Sequence, residues 1–402
     1  VRQQLVEVRD GDLRFAAEEA PALLGPAGDV LDGAGVQALH LRTEGWAAGL
    51  VLAATSIGQA IAGPLTSRWM GVWSMRPVLI LTTAVAAISM GVVAFVSMPL
   101  IGYMIVGLIG GLSWPPVQPA VRTIYPKMVN SRQLTPLFSL DASAQEIIWV
   151  GAPVLVTFVS IQVSTVAGIV LAMAFLIFGS AWFIASPEVG WVRIPRSKRR
   201  LGVVLGRPAV LLSTVVGFLL IGSAAAIEAG VVATFGKGGA TAGIVLGIWA
   251  ISSLVGGLSL GHRAIGPWAL ARRMILIAIG SVLVVFSWDV WSLTAALIVA
   301  GLCIAPALAV MFGIVSASVK FSDTAEAYGW VGTGQLVGAA LGSAVAGFLI
   351  DSNGPAGAFT VAAIFAVVGA LVPIVFRRAP PDLRGRDPSP IPDTEPIPVQ
   401  PS

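Results

Sequence analysis

Acidic side chains inside apolar runs have the most chemistry to offer in this chain. Glu228 lies in AAAIEAGVV, with apolar neighbours for several residues on each side. A charged side chain at the centre of a bilayer costs about 2.5–3.5 kcal/mol on insertion scales. Loss of hydration also favours the neutral form of a carboxyl. Glu228 is therefore read as a protonatable group facing a central cavity, able to take a proton or a cationic substrate. The plainer alternative is a carboxyl that hydrogen-bonds a neighbouring helix. A second set lies in SLDASAQEIIWVGAP, where Asp141 and Gln145 are four apart and share a helix face. Asp141 is expected to cap its helix or to pair with Arg122 or Arg132. Glu146 lies deeper and is the better cavity candidate. Trp149, three residues on, would suit an organic cation through its ring face. Gln335 is a further candidate for the substrate path, with interhelical hydrogen bonding as the alternative. Glu326 is read as an acid favoured by the dipole at a helix start.

Other chemistries find no footing in the sequence. The two histidines, His40 and His262, are far apart, and no metal-ligand spacing is available. Cys303 is alone and sits in an apolar run, where it reads as a packing residue. No phosphate-binding loop of the G-x-x-x-x-G-K-[ST] type occurs, so no ATPase is expected in the chain. A membrane-embedded enzyme would need clustered His, Asp or Cys around one pocket, and the sequence has none. Neither a metal nor a cofactor is expected, and no nucleic-acid partner.

The elements that must position these residues follow from composition. Of 402 residues 56% are hydrophobic and 11% charged, with mean hydropathy +0.89. A soluble domain carries about 25% charged residues. The apolar runs are continuous, unlike the alternating strands of a transmembrane barrel. The chain is an all-α polytopic membrane protein. Eleven spans are expected, at 46–65, 78–98, 100–121, 138–161, 164–186, 209–233, 240–260, 274–290, 292–317, 329–350 and 356–376. Basic residues gather in alternate connections, from Arg68 and Arg76 through the linker WVRIPRSKRRLGVVLGRP to Arg377 and Arg378. Only Lys237 falls on the other side. Positive residues mark the cytoplasmic side, so a cytoplasmic C-terminus is expected. An odd number of spans then places residues 1–45, which hold eight acids and no apolar run, outside.

The loop RWMGVW, from Arg68 through Gly71 to Trp73, returns as RAIGPW, from Arg263 through Gly266 to Trp268, 195 residues later. Both copies lie between apolar runs on the basic side. Internal repeats are common in transporters. Two spans separate the linker from the second copy and four follow it, so a complete half has six spans. In the first half only one span precedes the loop. Glycines at three- and four-residue steps (Gly107/Gly111, Gly243/Gly247, Gly257/Gly261, Gly334/Gly338/Gly342) predict close helix packing. Pro115, Pro116, Pro119, Pro153 and Pro306 should kink or end helices.

Six-span halves, a basic linker and this loop resemble the major facilitator superfamily of secondary transporters. The family's loop reads roughly G-x-x-x-D-R-x-G-R-R. Gly63, Arg68, Gly71 and Arg76 stand at its glycine and basic positions, and Ser67 replaces its acid. Gly151-Ala-Pro153 resembles part of the Gly-Pro motif of proton-driven exporters, without the flanking glycines. Thr324 to Gly347 is similar to the eleventh helix of bacterial members of unassigned substrate. The resemblance covers residues 46–377. It implies a multi-pass protein of the bacterial inner membrane, expected to act as a monomer. It would move a small molecule by alternating access, coupled to protons and directed to export. The two basic loops, with Arg68 and Arg76 in one and Arg263 and Gly266 in the other, would serve as cytoplasmic gates. The expected organisation is a polar segment 1–45, an N-terminal half 46–190 lacking its first helix, a linker 191–208, a six-helix half 209–378 and a disordered Pro-rich tail 379–402. The competing expectations are a truncated or frame-shifted, non-functional transporter, and a non-transporting membrane scaffold.

Overall fold

In hydrocarbon every backbone N–H and C=O must be satisfied within its own segment, so continuous apolar runs fold as helices. The computed structural model describes residues 47–236, 240–261 and 263–393. The polar N-terminal segment, Lys237, His262 and the last nine residues lie outside the described residues.

The N-terminal half holds α1 (Ala47–Trp73), α2 (Met75–Phe95), α3 (Leu100–Leu112), α4 (Val117–Met128), α5 (Ser131–Gln162), α6 (Thr165–Ala185) and the short α7 (Pro187–Trp191). The C-terminal half holds α8 (Pro208–Phe235), α9 (Ala240–Leu260), α10 (Ala269–Val285), α11 (Val290–Gly301), α12 (Ile304–Ser318), α13 (Phe321–Asn353) and α14 (Pro355–Val375). Taking α3–α4 and α11–α12 each as one broken span, ten segments are long and apolar enough to cross a membrane. The 17 residues of α10 reach about 26 Å, the short limit of a spanning helix.

The repeat is carried by the architecture. Helices α3, α5 and α6 begin 190 residues before α11, α13 and α14. Both broken spans break at matching places. The first breaks at Pro115-Pro116, because proline supplies no N–H and crowds the preceding turn. The second breaks at Leu302-Cys303. Elsewhere the ends follow local chemistry. Asp289 and Ser292 form a reciprocal capping box at the start of α11. Hydrogen bonds from Ser292 hold the Asp289 carboxyl below its usual range. Gly236 and Gly354 end α8 and α13 at positive φ.

Glycine sets the closest packing. Cβ atoms at Gly338 and Gly342 of α13 would overlap the carbonyls of Phe218 and Gly222 on α8. Gly111 of α3 meets Thr55 of α1 in the same way, and Gly280 of α10 meets Ala300 of α11. The expected small-residue packing is thus present in both halves.

Two expectations need correction. Arg122, expected in a loop, lies on α4 and is wholly buried, because the helix resumes after the paired prolines. The tail is ordered at least to Asp393. Leu383 donates its N–H to the Ile265 carbonyl at 2.9 Å, and Ile391 pairs with the backbone flanking Lys320. Prolines hold this stretch extended. That leaves the amide of Ile391 free to pair and Leu383 free to bury.

Candidate functional site

The two halves meet at the basic end through two sets of helix contacts, α1 and α4 with α13, and α5 with α9 and α12. In the first, α1 lies against α13. The Gly63 carbonyl lies only 2.7 Å from where a Cβ at Gly329 would sit, and Thr333 donates to the Ala60 carbonyl at 2.7 Å. One turn nearer the basic end, Arg68 donates to Glu326 at 2.8 Å. Glu326 is buried and also accepts the Gly202 N–H at 2.8 Å, while Arg68 reaches the Arg199 carbonyl. Ser197 donates to Asp323 at 2.6 Å, and Arg199 approaches the same acid. The linker between the halves is thereby clamped onto the first turns of α13. Ala325 of α13 enters a small core formed with Met70, Met75, Leu79, Ile124 and linker residue Ile194.

In the second crossing, Ser139 of α5 donates to the Gly257 carbonyl of α9 at 2.7 Å. Cβ atoms at Gly257 and Gly261 would overlap Ser143 and Ser139. Phe138 on α5 packs 6.4 Å from both Phe312 and Tyr328 of the other half. The Arg122 guanidinium lies 3.6 Å over the Phe312 ring and donates to Asp141 at 2.9 Å. Tyr125 and Gln145 also donate to Asp141, at 3.2 and 3.3 Å, and Gln118 donates to Gln145. Arg122 Nη2 is buried without a partner among the described residues.

Towards the other end the same helices stand open. Gly243 and Gly247, on α9 with Gly257, have nothing within 4 Å of a Cβ. On α5, Ile147, Ile148, Trp149, Val154 and Phe158 are exposed. Glu228 is exposed in the last third of α8, although Ala226, Ile227 and Gly230 around it are buried. Glu146, on α5, is half-buried. Neither acid makes an ion pair among the described residues.

The structure gives Asp141 the pairing with Arg122 that the sequence suggests, and it sets Glu146 on α5 and Glu228 on α8, one in each half. Trp149 is 63% exposed, and no contact ties it to the two acids. Gln335 packs against Gly217 of α8, with its buried Nε2 unpartnered among the described residues. Gly71 fits under the linker carbonyl of Pro195, and Arg76 donates to the Ser186 carbonyl at 3.2 Å. Arg263 is exposed, and Gly266 abuts Arg384 of the tail. The second loop thus holds the tail, while the first holds the opposite half. Glu326, read from sequence as a dipole acid, is the partner of Arg68. Ser67 stands where the loop could have carried an acid of its own, but nothing local points to Glu326 in its place. Ser67 itself is buried, and its hydroxyl is unpartnered among the described residues.

Comparison with known proteins agrees with this architecture. The sequence model of the Major Facilitator Superfamily matches residues 268–398. No curated protein matches the sequence. Among solved structures, the human organic anion transporter MFSD10 (TETRAN) superposes with TM-score 0.64 at 15% identity, covering 90% of this chain and 89% of that one. A bacterial homologue of the iron transporter ferroportin, in an outward-facing state, gives 0.66 at 14% identity, covering 90% and 95%. The proton:xylose symporter XylE, titled as a major facilitator superfamily protein, gives 0.64 at 13% identity, covering 89% of each chain. Residues 268–398 carry the family's sequence pattern, and about nine-tenths of the chain superposes on the fold of these transporters.

Proposed function

We propose that this protein is a secondary transporter working by alternating access. Its basic end is the cytoplasmic end, and the conformation is outward-open. The observation that carries this reading is the one-sided contact between the halves. The crossings of α1 with α13 and of α5 with α9 close the basic end, and two uncompensated acids stand beyond them. Alternating access requires the closed end to open. The cytoplasmic seal suits that task, because it is made of separable parts. Phe312 covers Arg122, and a buried guanidinium nitrogen without a partner costs free energy. Lifting the C-terminal half would hydrate Arg122 and offset part of the loss of the Arg68–Glu326 pair.

Glu146 and Glu228 bind protons in this reading, and a small cationic or neutral cargo exchanges against them. Export is the direction that the Gly151-Ala-Pro153 motif supports. The similar transporters are named for substrates as different as organic anions, iron and xylose, so the cargo class rests on the two acids alone. The test starts with a toxic-compound screen in an exporter-deficient strain. The compound found is then followed in proteoliposomes under an imposed pH gradient. Glu228→Gln is expected to lower gradient-driven flux at least about tenfold, the scale of a lost proton-transfer group. Unchanged flux and pH dependence in that variant would remove Glu228 from the mechanism.

A further inference from the structure

Two clefts of about 380 and 500 Å³ open side by side at the basic end of α14. One faces Trp268 and Asp382, and the other faces Pro208 and Phe376. Arg377 and Arg378 line both. These two arginines are exposed and make no ion pair among the described residues. Asp382, the acid of the first cleft, is already engaged. Arg384 grips it with Nε and Nη2 at 2.9 and 2.7 Å. Those bonds hold its carboxyl down at about 2, so it stays ionised and compensated near neutral pH. The clefts therefore present two uncompensated positive charges.

What lies beneath gives these charges a context. Ile364, Val368, Leu371 and Val375 are exposed at steps of three and four residues, an apolar stripe down one face of α14. Trp268 lies 5.5 Å from the Arg377 guanidinium, at the depth where indole rings anchor a protein in the headgroup layer. A ligand fitting this arrangement has a negative head and long apolar chains. A free phosphate would leave the stripe unused. A zwitterionic lipid would bring an ammonium group with no free acid to receive it.

We propose that the end of α14 is a binding site for an anionic phospholipid. Arg377 and Arg378 hold the phosphate, and the acyl chains lie along the stripe. Basic pockets beside membrane helices bind anionic headgroups on the same physical grounds. The site rests on the chain spanning a bilayer and not on what it transports, so it stands or falls separately from the transport reading.

The test is native mass spectrometry of the purified full chain in micelles containing phosphatidylglycerol and phosphatidylcholine in equal amounts. The wild type should retain phosphatidylglycerol about thirtyfold over phosphatidylcholine, as two basic contacts of about 1 kcal/mol each imply. Arg377→Gln with Arg378→Gln should bring the two lipids to parity. Arg377→Lys with Arg378→Lys should keep a preference, and Arg196→Gln, in the exposed linker, should leave it unchanged. Equal retention of the two lipids by the wild type overturns the proposal, even if the double variant fails to fold. So does an undiminished preference in a folded Gln variant. Displacement of the lipid by millimolar inorganic phosphate would also overturn it, by showing a site for the anion alone.

Discussion

The two halves share one helix order and differ in how much of it is buried. In the C-terminal half, 83% of the apolar stretch of α11–α12 is buried and 61% of that of α8. In the N-terminal half the figures are 22% for α3–α4 and 11% for α6. The reason lies in α8. It packs along α13 and α14 and seats its carbonyls over the glycines of α13. The helices matching α13 and α14 by their 190-residue offset are α5 and α6. Among the described residues nothing in the first half takes the place of α8. Gly151 on α5 and Gly179 on α6 have only open space beside them. The close approach of α8 to those glycines thus supports the larger of the two buried clusters.

That comparison can be broken most forcefully at the glycines. Gly338→Leu puts a branched side chain into the Phe218 carbonyl, where neither backbone can yield. The expected cost is about 3 kcal/mol or more, the upper range for overpacking. Gly151→Leu, in open space, should cost about 0.5 kcal/mol or less. The measurement is thermal unfolding in detergent, read by size-exclusion of the soluble fraction. Equal losses in the two variants would mean that the bare face of α5 is covered in the working protein.

Much of this contrast was legible in the sequence, and the reasons are physical. Apolar runs of bilayer length, Gly stripes and a loop repeat are local patterns, so helix order, close packing and two-fold organisation follow from them. The span count before the loop already set the first half apart from the second. What could not be read is any contact whose partners share no local pattern. Arg68 and Glu326 are 258 positions apart. Nothing near Glu326 marks it as anything but an acid at a helix start. The tail failed for the opposite reason. Its composition signals disorder, yet two apolar residues and one exposed run of backbone suffice to dock it.

The loops give the next comparison. The first copy reaches across to α13 through Arg68, whereas Arg263 of the second copy is exposed. Arg68→Gln leaves the buried Glu326 carboxylate without its ion pair, though the Gly202 N–H remains. Breaking one partner of a buried pair costs about 3–5 kcal/mol, less here because Arg68 is 22% exposed. A loss of about 2 kcal/mol shifts the balance between conformations roughly thirtyfold. A reporter cysteine at Ala325, with Cys303 replaced by Ser, reads the shift through labelling by a membrane-impermeant maleimide applied from the basic side. Labelling should rise in Arg68→Gln and stay at the starting level in Arg263→Gln. A rise in both variants would mean that overall loop charge holds the end shut and that the ion pair does not.

The smallest effect expected lies in the connection between α1 and α2, which is Ser74 alone, while its counterpart between α9 and α10 runs from 261 to 268. A one-residue turn forces the backbone, and Ser74 sits at φ 76° and ψ 161°. Glycine alone adopts that region readily, and another residue there costs about 1–3 kcal/mol. Ser74→Gly removes the strain but adds freedom to the unfolded chain, worth roughly 0.5–1 kcal/mol in the other direction. The net gain should be about 1 kcal/mol, a rise in Tm of about 2 °C for a chain of this size. Because the described residues of the longer second connection show no positive φ, Ala264→Gly should lower Tm slightly or leave it unchanged. If Ser74→Gly lowers Tm as well, the tight first loop is held by contacts of the serine that outweigh its backbone geometry. The two loops would then differ in length but not in strain.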